Sequence, residues 1–254
     1  MTSLTLELIL LVAAGGFVAS FVDSIVGGGG MISVPVLLAA GLPPHLALGT
    51  NKLASSMSSL TSTLSFLRSG HLNLRLTARL LPLTVIGAVT GTVLLQQLPA
   101  EWLRPLVVVL LVLVTVYTLL RKDWGSVGSF RAFTARSGIV MAAAALVIGA
   151  YDGFFGPGTG SFLIFAFLLL GFDFVKAAGS AKLLNFGSNV SSLAVFACFG
   201  TIDYRLGLIM GGAMILGALA GSRLAIRKGA RYVRPLFIAV TALLIVRQIW
   251  TMLP

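Results

Sequence analysis

Apolar stretches alternate with short polar, glycine-rich or proline-rich breaks along the whole chain. The stretches cover residues 8–22, 31–40, 53–67, 80–95 and 106–120, then 139–151, 162–170, 183–199, 206–220 and 236–250. The breaks include Gly41-Leu-Pro-Pro44, Leu98-Pro99 and the run from Gly125 to Gly128. Apolar runs spread this evenly mark a polytopic membrane protein. The expected fold is therefore all-α, with eight to ten hydrophobic segments.

The polar positions repeat at an offset of about 130 residues. Gly49-Thr-Asn-Lys-Leu53 falls on Gly179-Ser-Ala-Lys-Leu183, and Gly70-His-Leu-Asn-Leu-Arg75 on Gly200-Thr-Ile-Asp-Tyr-Arg205. Gly87 and Gly91 meet Gly217 and Gly221, and Trp102-Leu-Arg-Pro-Leu106 meets Tyr232-Val-Arg-Pro-Leu236. Chance likeness of apolar sequence does not reproduce polar, glycine and proline positions in one frame, so the repeat is read as real. The division predicted is a first transmembrane repeat over 1–120, a cytoplasmic linker over 121–136 and a second repeat over 137–254.

Positive charge sets orientation. Arg68, Arg75 and Arg79 mark one cytoplasmic loop, Arg121, Lys122, Arg131 and Arg136 the linker, and Arg223, Arg227, Lys228, Arg231 and Arg234 a third. Lys176 and Lys182 fall on the same side, which leaves Lys52, Arg104, Arg205 and Arg247 on the other. The basic loop 68–79 corresponds to the nearly uncharged 200–205, whereas the poorly charged 98–104 corresponds to the basic 223–234. The bias changes sign between halves. The repeats are thus expected to be inverted, with both chain ends outside.

Each repeat carries a glycine knot beside an aspartate: Asp23 with Gly27 to Gly30, and Asp152 with Gly156-Pro-Gly-Thr-Gly160. The apolar stretch after each knot has about a dozen residues, roughly 18 Å of helix against a hydrocarbon core of roughly 30 Å. The picture favoured is a broken or re-entrant helical hairpin in each repeat, entering from opposite faces and meeting near the midplane; local thinning of the bilayer is the plainer alternative. Unwound backbone at that depth needs protein or an aqueous cavity around it. Broken segments at matching places in two halves point to a transporter's binding site. Helix N-termini behind the knots would offer unpaired N–H groups to an anion, making Gly28, Gly29, Gly30, Gly158, Thr159 and Gly160 binding candidates. No Gly-Lys-Ser/Thr ending and no preceding strand support a nucleotide loop. For Gly87, Gly91, Gly217 and Gly221 the expectation is close helix packing.

Lys52 and Lys182 are equivalent and open the third segment of each half. At helical spacing Lys52, Ser55, Ser59 and Ser62 share a face, as do Lys182, Asn185, Asn189 and Ser192. These stripes either line a cavity or pack helices, with the lysines snorkelling to the interface. Asp23 and Asp152 could pair with the lysines, carry a coupling proton or cap the following helix. Trp102, Trp124, Trp250 and Tyr232 sit at segment ends, as interface anchors do.

Composition narrows the rest. With 57% hydrophobic and 10% charged residues and a mean hydropathy of +1.03, no soluble domain fits. The net charge of +11 is scattered over loops rather than gathered on one face, so nucleic acid is not an expected partner. The single Cys198 and the unrelated His45 and His71 offer no metal site, and no cofactor or catalytic residue is expected. The N-terminus lacks the basic region of a cleaved signal, so the first apolar segment is expected to stay.

Asp23 with its glycine run, Gly49-Thr-Asn-Lys52, Gly70-His71 and their echoes in the second half together resemble the sulfite exporter TauE/SafE family, small bacterial permeases also grouped as TSUP, and most closely a YfcA-like branch. The resemblance implies secondary transport of a small anion across the bacterial inner membrane, such as sulfite, thiosulfate or an organosulfonate. It also implies substrate contact by the glycine knots, by Thr50, Asn51 and Lys52, and by Ser180 and Lys182, with Ala181 in place of the amide of Asn51. The partners expected are a small anion and the lipid bilayer. A membrane-embedded enzyme, an uncoupled anion channel and a scaffolding subunit are the alternatives.

Overall fold

A computed structural model describes residues 5–99, scattered positions from 101 to 113, and 134–228. The regular structure of the described residues is helical throughout, so the chain is an all-α polytopic membrane protein. In order these helices are α1 (Leu6–Val26), α2 (Gly30–Ala39), α3 (Pro44–Arg68), α4 (Leu74–Ala78), α5 (Leu81–Gln96), α6 (Ala135–Phe154), α7 (Thr159–Leu169), α8 (Phe174–Cys198) and α9 (Tyr204–Lys228). The apolar stretches at 106–120 and 236–250, Trp124, Tyr232, Trp250 and most of the linker lie outside the described residues. The other eight stretches fall on helices. Helix α6 begins two residues inside the expected linker, where Thr134 and Ser137 form a capping box.

Local chemistry sets the helix ends. Pro44 occupies the first turn of α3, where its missing N–H costs nothing. At the equivalent start of α8, Asp173 caps by accepting the Lys176 N–H at 3.0 Å. Helices α2 and α7 stop at Gly41 and Gly171, both left-handed at φ 89° and 87°. The next residues bond back across the helix end, Leu42 N–H to Leu37 O and Phe172 N–H to Phe167 O, each at 3.2 Å. Gly70 and Gly200 close α3 and α8 in the same way. These four stops fall in two pairs spaced by 130 residues, which is the sequence repeat expressed as backbone geometry.

The repeats interlock instead of standing side by side. Helix α1 of the first half packs most extensively on α9 of the second, and α6 of the second on α5 of the first; α3 and α8 cross at the centre. The paired glycines make these contacts possible. A Cβ on Gly87 would lie 2.2 Å from Leu146 O, and one on Gly91 2.0 Å from Ala150 O; on Gly217 and Gly221 it would lie 2.3 Å from Phe17 O and Phe21 O. With no side chain there, backbones touch and dispersion holds the helices together.

Helices α1 and α9 and the stretch Ser137–Phe154 of α6 are long and apolar enough to cross a membrane, while α2, α5 and α7 are shorter apolar helices. Large apolar side chains such as Leu10, Ile86, Val147, Leu169 and Leu216 are exposed, as a lipid-facing surface requires. The polar residues are inside: Ser20, Ser24, Asn51, Lys52, Ser62, Lys182, Asn185 and Asn189 are all buried. Helices α3 and α8 carry most of this polarity and form the core of the arrangement.

Candidate functional site

The two glycine knots meet. Helix α1 ends at Gly27, whose φ of 79° is open to glycine, and a Cβ there would lie 2.2 Å from the N of Ser161. A Cβ on Gly160 would lie 2.9 Å from Gly27 Cα, and one on Gly30 2.9 Å from Pro157 Cα. The Ser161 hydroxyl donates to Val26 O at 2.9 Å, joining the loop of one repeat to the other. Tyr151 braces the second knot by donating from its hydroxyl to Pro157 O at 2.5 Å.

Around this contact the ionisable groups pair crosswise. The Lys52 ammonium on α3 lies 2.9 Å from Asp152 Oδ1 on α6 and donates to the Asp152 carbonyl at 2.5 Å. The Lys182 ammonium on α8 lies 2.6 Å from Asp23 Oδ2 on α1. Each pair therefore ties one repeat to the other. Both aspartates sit in the last turn of a helix, at the negative end of its dipole, where a buried carboxylate needs a cation beside it. Neither lysine snorkels. Lys52 and Lys182 lie in the interior of helices that start at Pro44 and Phe174, not at the heads of segments or in the loops of opposite faces, because each helix begins well before its apolar run does.

The surroundings of the pairs differ. Asp152 is 2% exposed, and its second oxygen accepts from the Ser188 hydroxyl. Asp23 is 15% exposed, and its second oxygen accepts the Gly29 N–H at 3.1 Å, at the start of α2. Asp23 thus both pairs with a lysine and holds the backbone N–H at the start of a helix.

A cavity of about 390 Å³, counted to its open side, is lined by both knots and both central helices. Of the candidate residues, Gly28, Gly29, Gly30, Asn51, Lys52, Ser55, Gly158, Thr159, Gly160, Asn185 and Asn189 line it, with Asp23 and Asp152. Thr50, Ser180 and Lys182 stand behind the wall. The Thr50 hydroxyl accepts the Asp203 N–H at 2.9 Å, which fixes the start of α9. The lower parts of the polar stripes also serve packing, as Ser62 shows by pairing with Ser24 at 2.7 Å. Gly156 of the second knot lines it too, and Ala19, Ser20, Ser58 and Met214, which were not anticipated, complete the lining. Ser58 was within reach, one helical turn after Ser55. No pattern in the chain pointed to Met214.

The lining is rich in donors. Among the described residues no acceptor is found for the N–H groups of Gly28, Gly30, Gly158 or Gly160, two at the start of each short helix. Asn51 Oδ1 accepts from Ser33 at 2.6 Å and from Ser55 at 3.3 Å, and Asn185 Oδ1 accepts from Asn189 at 2.6 Å. Both amide carbonyls are thereby occupied. Their Nδ2 groups have no protein acceptor among the described residues. No group of three or more potential metal-ligating side chains occurs among those residues either.

A family model described as sulfite exporter TauE/SafE matches residues 12–247. A probable membrane transporter protein ORF9 from Sinorhizobium sp is 40% identical over 97% of this chain and 94% of its own length. A probable membrane transporter protein from Haemophilus influenzae is 36% identical over 96% of both chains. The probable membrane transporter protein YfcA of Escherichia coli K12 is 37% identical over 89% of this chain and 84% of its own. No solved structure matches.

Proposed function

The chain is a membrane transporter of the sulfite exporter TauE/SafE family, and from that premise we propose that it carries a small anion, a sulfur oxyanion or organosulfonate, across the bacterial inner membrane by alternating access to the central cavity. The observation that carries this reading is the meeting of two glycine knots, one from each repeat, around a largely polar cavity lined by glycines whose N–H groups have no acceptor among the described residues. Each short helix contributes the positive end of its dipole to the same space, an arrangement suited to an anion and unsuited to a cation. The small volume and a lining in which Ala19 and Met214 stand among mostly polar residues and glycines fit a small polar solute better than a lipid or a peptide.

Inverted repeats supply a mechanism for the movement. Helix pairs α1–α9 and α5–α6 each join one repeat to the other, so each forms a unit that can rock against the central α3–α8 crossing. The two crossed ion pairs stand where those units meet that crossing, and a proton on Asp23 or Asp152 is the candidate coupling ion. Flux of sulfite into proteoliposomes tests the reading. Saturable flux that falls in Lys52→Ala and Lys182→Ala is expected. Flux no faster than from empty vesicles would remove the transport assignment for this solute, and unchanged flux in both variants would remove the lysines from the mechanism.

A further inference from the structure

We propose that Asp23 is a built-in competitor of the transported anion, and that a proton on its carboxylate frees the Gly29 N–H and leaves the positive charge of Lys182 behind it to balance a singly charged oxyanion, so that anion and proton move together. This rests on the cavity being the anion site. It adds which carboxylate takes the proton and what the proton releases.

The carboxylate of Asp23 already occupies the donors that an anion would use. One oxygen holds the Gly29 N–H at 3.1 Å and the other holds Lys182 at 2.6 Å. Asp23 and Gly29 both line the cavity, and Asp23 is partly exposed to it. Asp152 also borders the cavity, but it is only 2% exposed, its oxygens face Lys52 and Ser188, and it holds no loop N–H. The remaining recognition elements stand ready in the same space: the amide nitrogens of Asn51 and Asn185 have no acceptor among the described residues, and these side chains are 3% and 6% exposed.

Charge balance makes the exchange reciprocal. Lys52, Asp152, Lys182 and Asp23 sum to zero, so an anion entering alone leaves an uncompensated negative charge in a dry interior. Entering with a proton on Asp23, it restores the balance, the charge of Lys182 behind the carboxyl now answering the anion. The charged groups facing Asp23 are Lys182 from α8 and, across the cavity, the Lys52–Asp152 pair from α3 and α6. Helices α2 and α7 have no ionisable side chain, and Arg223, Arg227 and Lys228 of α9 are exposed on its outer side.

The test uses the full-length protein in proteoliposomes with two probes. Sulfite reports whether the chain moves anions. Methanesulfonate keeps a fixed charge across the neutral range, so any accompanying proton belongs to the protein. Expected for the wild type is one proton per methanesulfonate, and an apparent affinity that falls as pH rises, by up to about tenfold per pH unit. Asp23→Asn is expected to exchange the anion with no proton movement and a flat pH profile, and Asp23→Glu to restore both. Proton-linked flux that persists in Asp23→Asn, or wild-type methanesulfonate flux without a proton, overturns this inference and leaves the transport reading standing. If Asp23→Asn does not fold, the wild-type stoichiometry and Asp23→Glu decide in the same sense. No flux of either probe overturns both readings.

Discussion

The two crossed ion pairs are equivalent in the repeat and unequal in their surroundings. Lys52–Asp152 borders the cavity with both side chains only 2% exposed and is braced by Ser188, whereas in Lys182–Asp23 the carboxylate is 15% exposed and reaches into a glycine knot. Each repeat supplies the same two residue types, one lysine and one aspartate. What separates the pairs is one side of a carboxylate: a serine hydroxyl in one half, a loop N–H in the other. A buried pair with fixed partners serves as a fastener between repeats, while a pair that borrows a helix N-terminus can be exchanged for a ligand.

Breaking each pair in turn gives the largest expected contrast. Lys52→Ala leaves Asp152 enclosed without a cation and is expected to cost about 3–5 kcal/mol. Lys182→Ala leaves Asp23 at the cavity, where it can take a proton, and is expected to cost about 1–3 kcal/mol. Thermal unfolding in detergent checks both; equal losses would erase the distinction between fastener and exchanger.

The knot contact is also uneven. Gly27→Ala meets backbone at 2.2 Å from a left-handed φ and is expected to cost roughly 2–4 kcal/mol through strain and overpacking. Gly160→Ala meets Gly27 at 2.9 Å in an ordinary helical turn and is expected to cost about 1–3 kcal/mol. The same unfolding assay ranks them. A costlier Gly160→Ala would mean that the second knot, not the first, sets the approach.

The smallest contrast lies at the starts of the central helices. Asp173 caps α8, and at the equivalent start of α3 Pro43 makes no side-chain cap. Asp173→Ala is expected to cost about 1 kcal/mol. Burial pushes the Asp173 carboxyl up, but the Lys176 N–H and ammonium, with His71, outweigh it and hold the group below the ordinary carboxylate range. Its contribution is therefore complete above the carboxylate range of an unfolded chain and fades as pH falls through the lowered folded value. Stability of wild type and Asp173→Ala should converge in acid; a gap that widens there would contradict the sign.

Much of this was legible in the chain. The repeat, the glycine knots, the packing role of Gly87, Gly91, Gly217 and Gly221, and most of the cavity lining follow from residue types and spacing. The place of the lysines along their helices did not, because hydropathy marks where an apolar run begins and not where a helix does. Gly49, Thr50 and Asn51 carry no apolar signal, yet they continue a helix that faces polar neighbours inside the protein. Crosswise pairing was equally hidden. The aspartates correspond at a spacing of 129, one residue being inserted in the second knot, but which lysine each meets depends on how the repeats interlock, a three-dimensional fact with no one-dimensional trace. Ser20 lines the cavity for the same reason, since α1 turns that face inward only against α3 and α9.

The most direct test of the central claim is equilibrium binding of radiolabelled sulfite to the purified protein, wild type against an Asn51→Ala/Asn185→Ala double variant. Removing two otherwise unpartnered donors from the cavity is expected to weaken a single saturable site about a hundredfold, at about 1–1.5 kcal/mol per hydrogen bond, with thermal unfolding lowered only by what Ser33, Ser55 and Asn189 lose with their acceptors. Equal affinity in a correctly folded double variant would contradict the account, since the anion would then be held somewhere other than between the two knots.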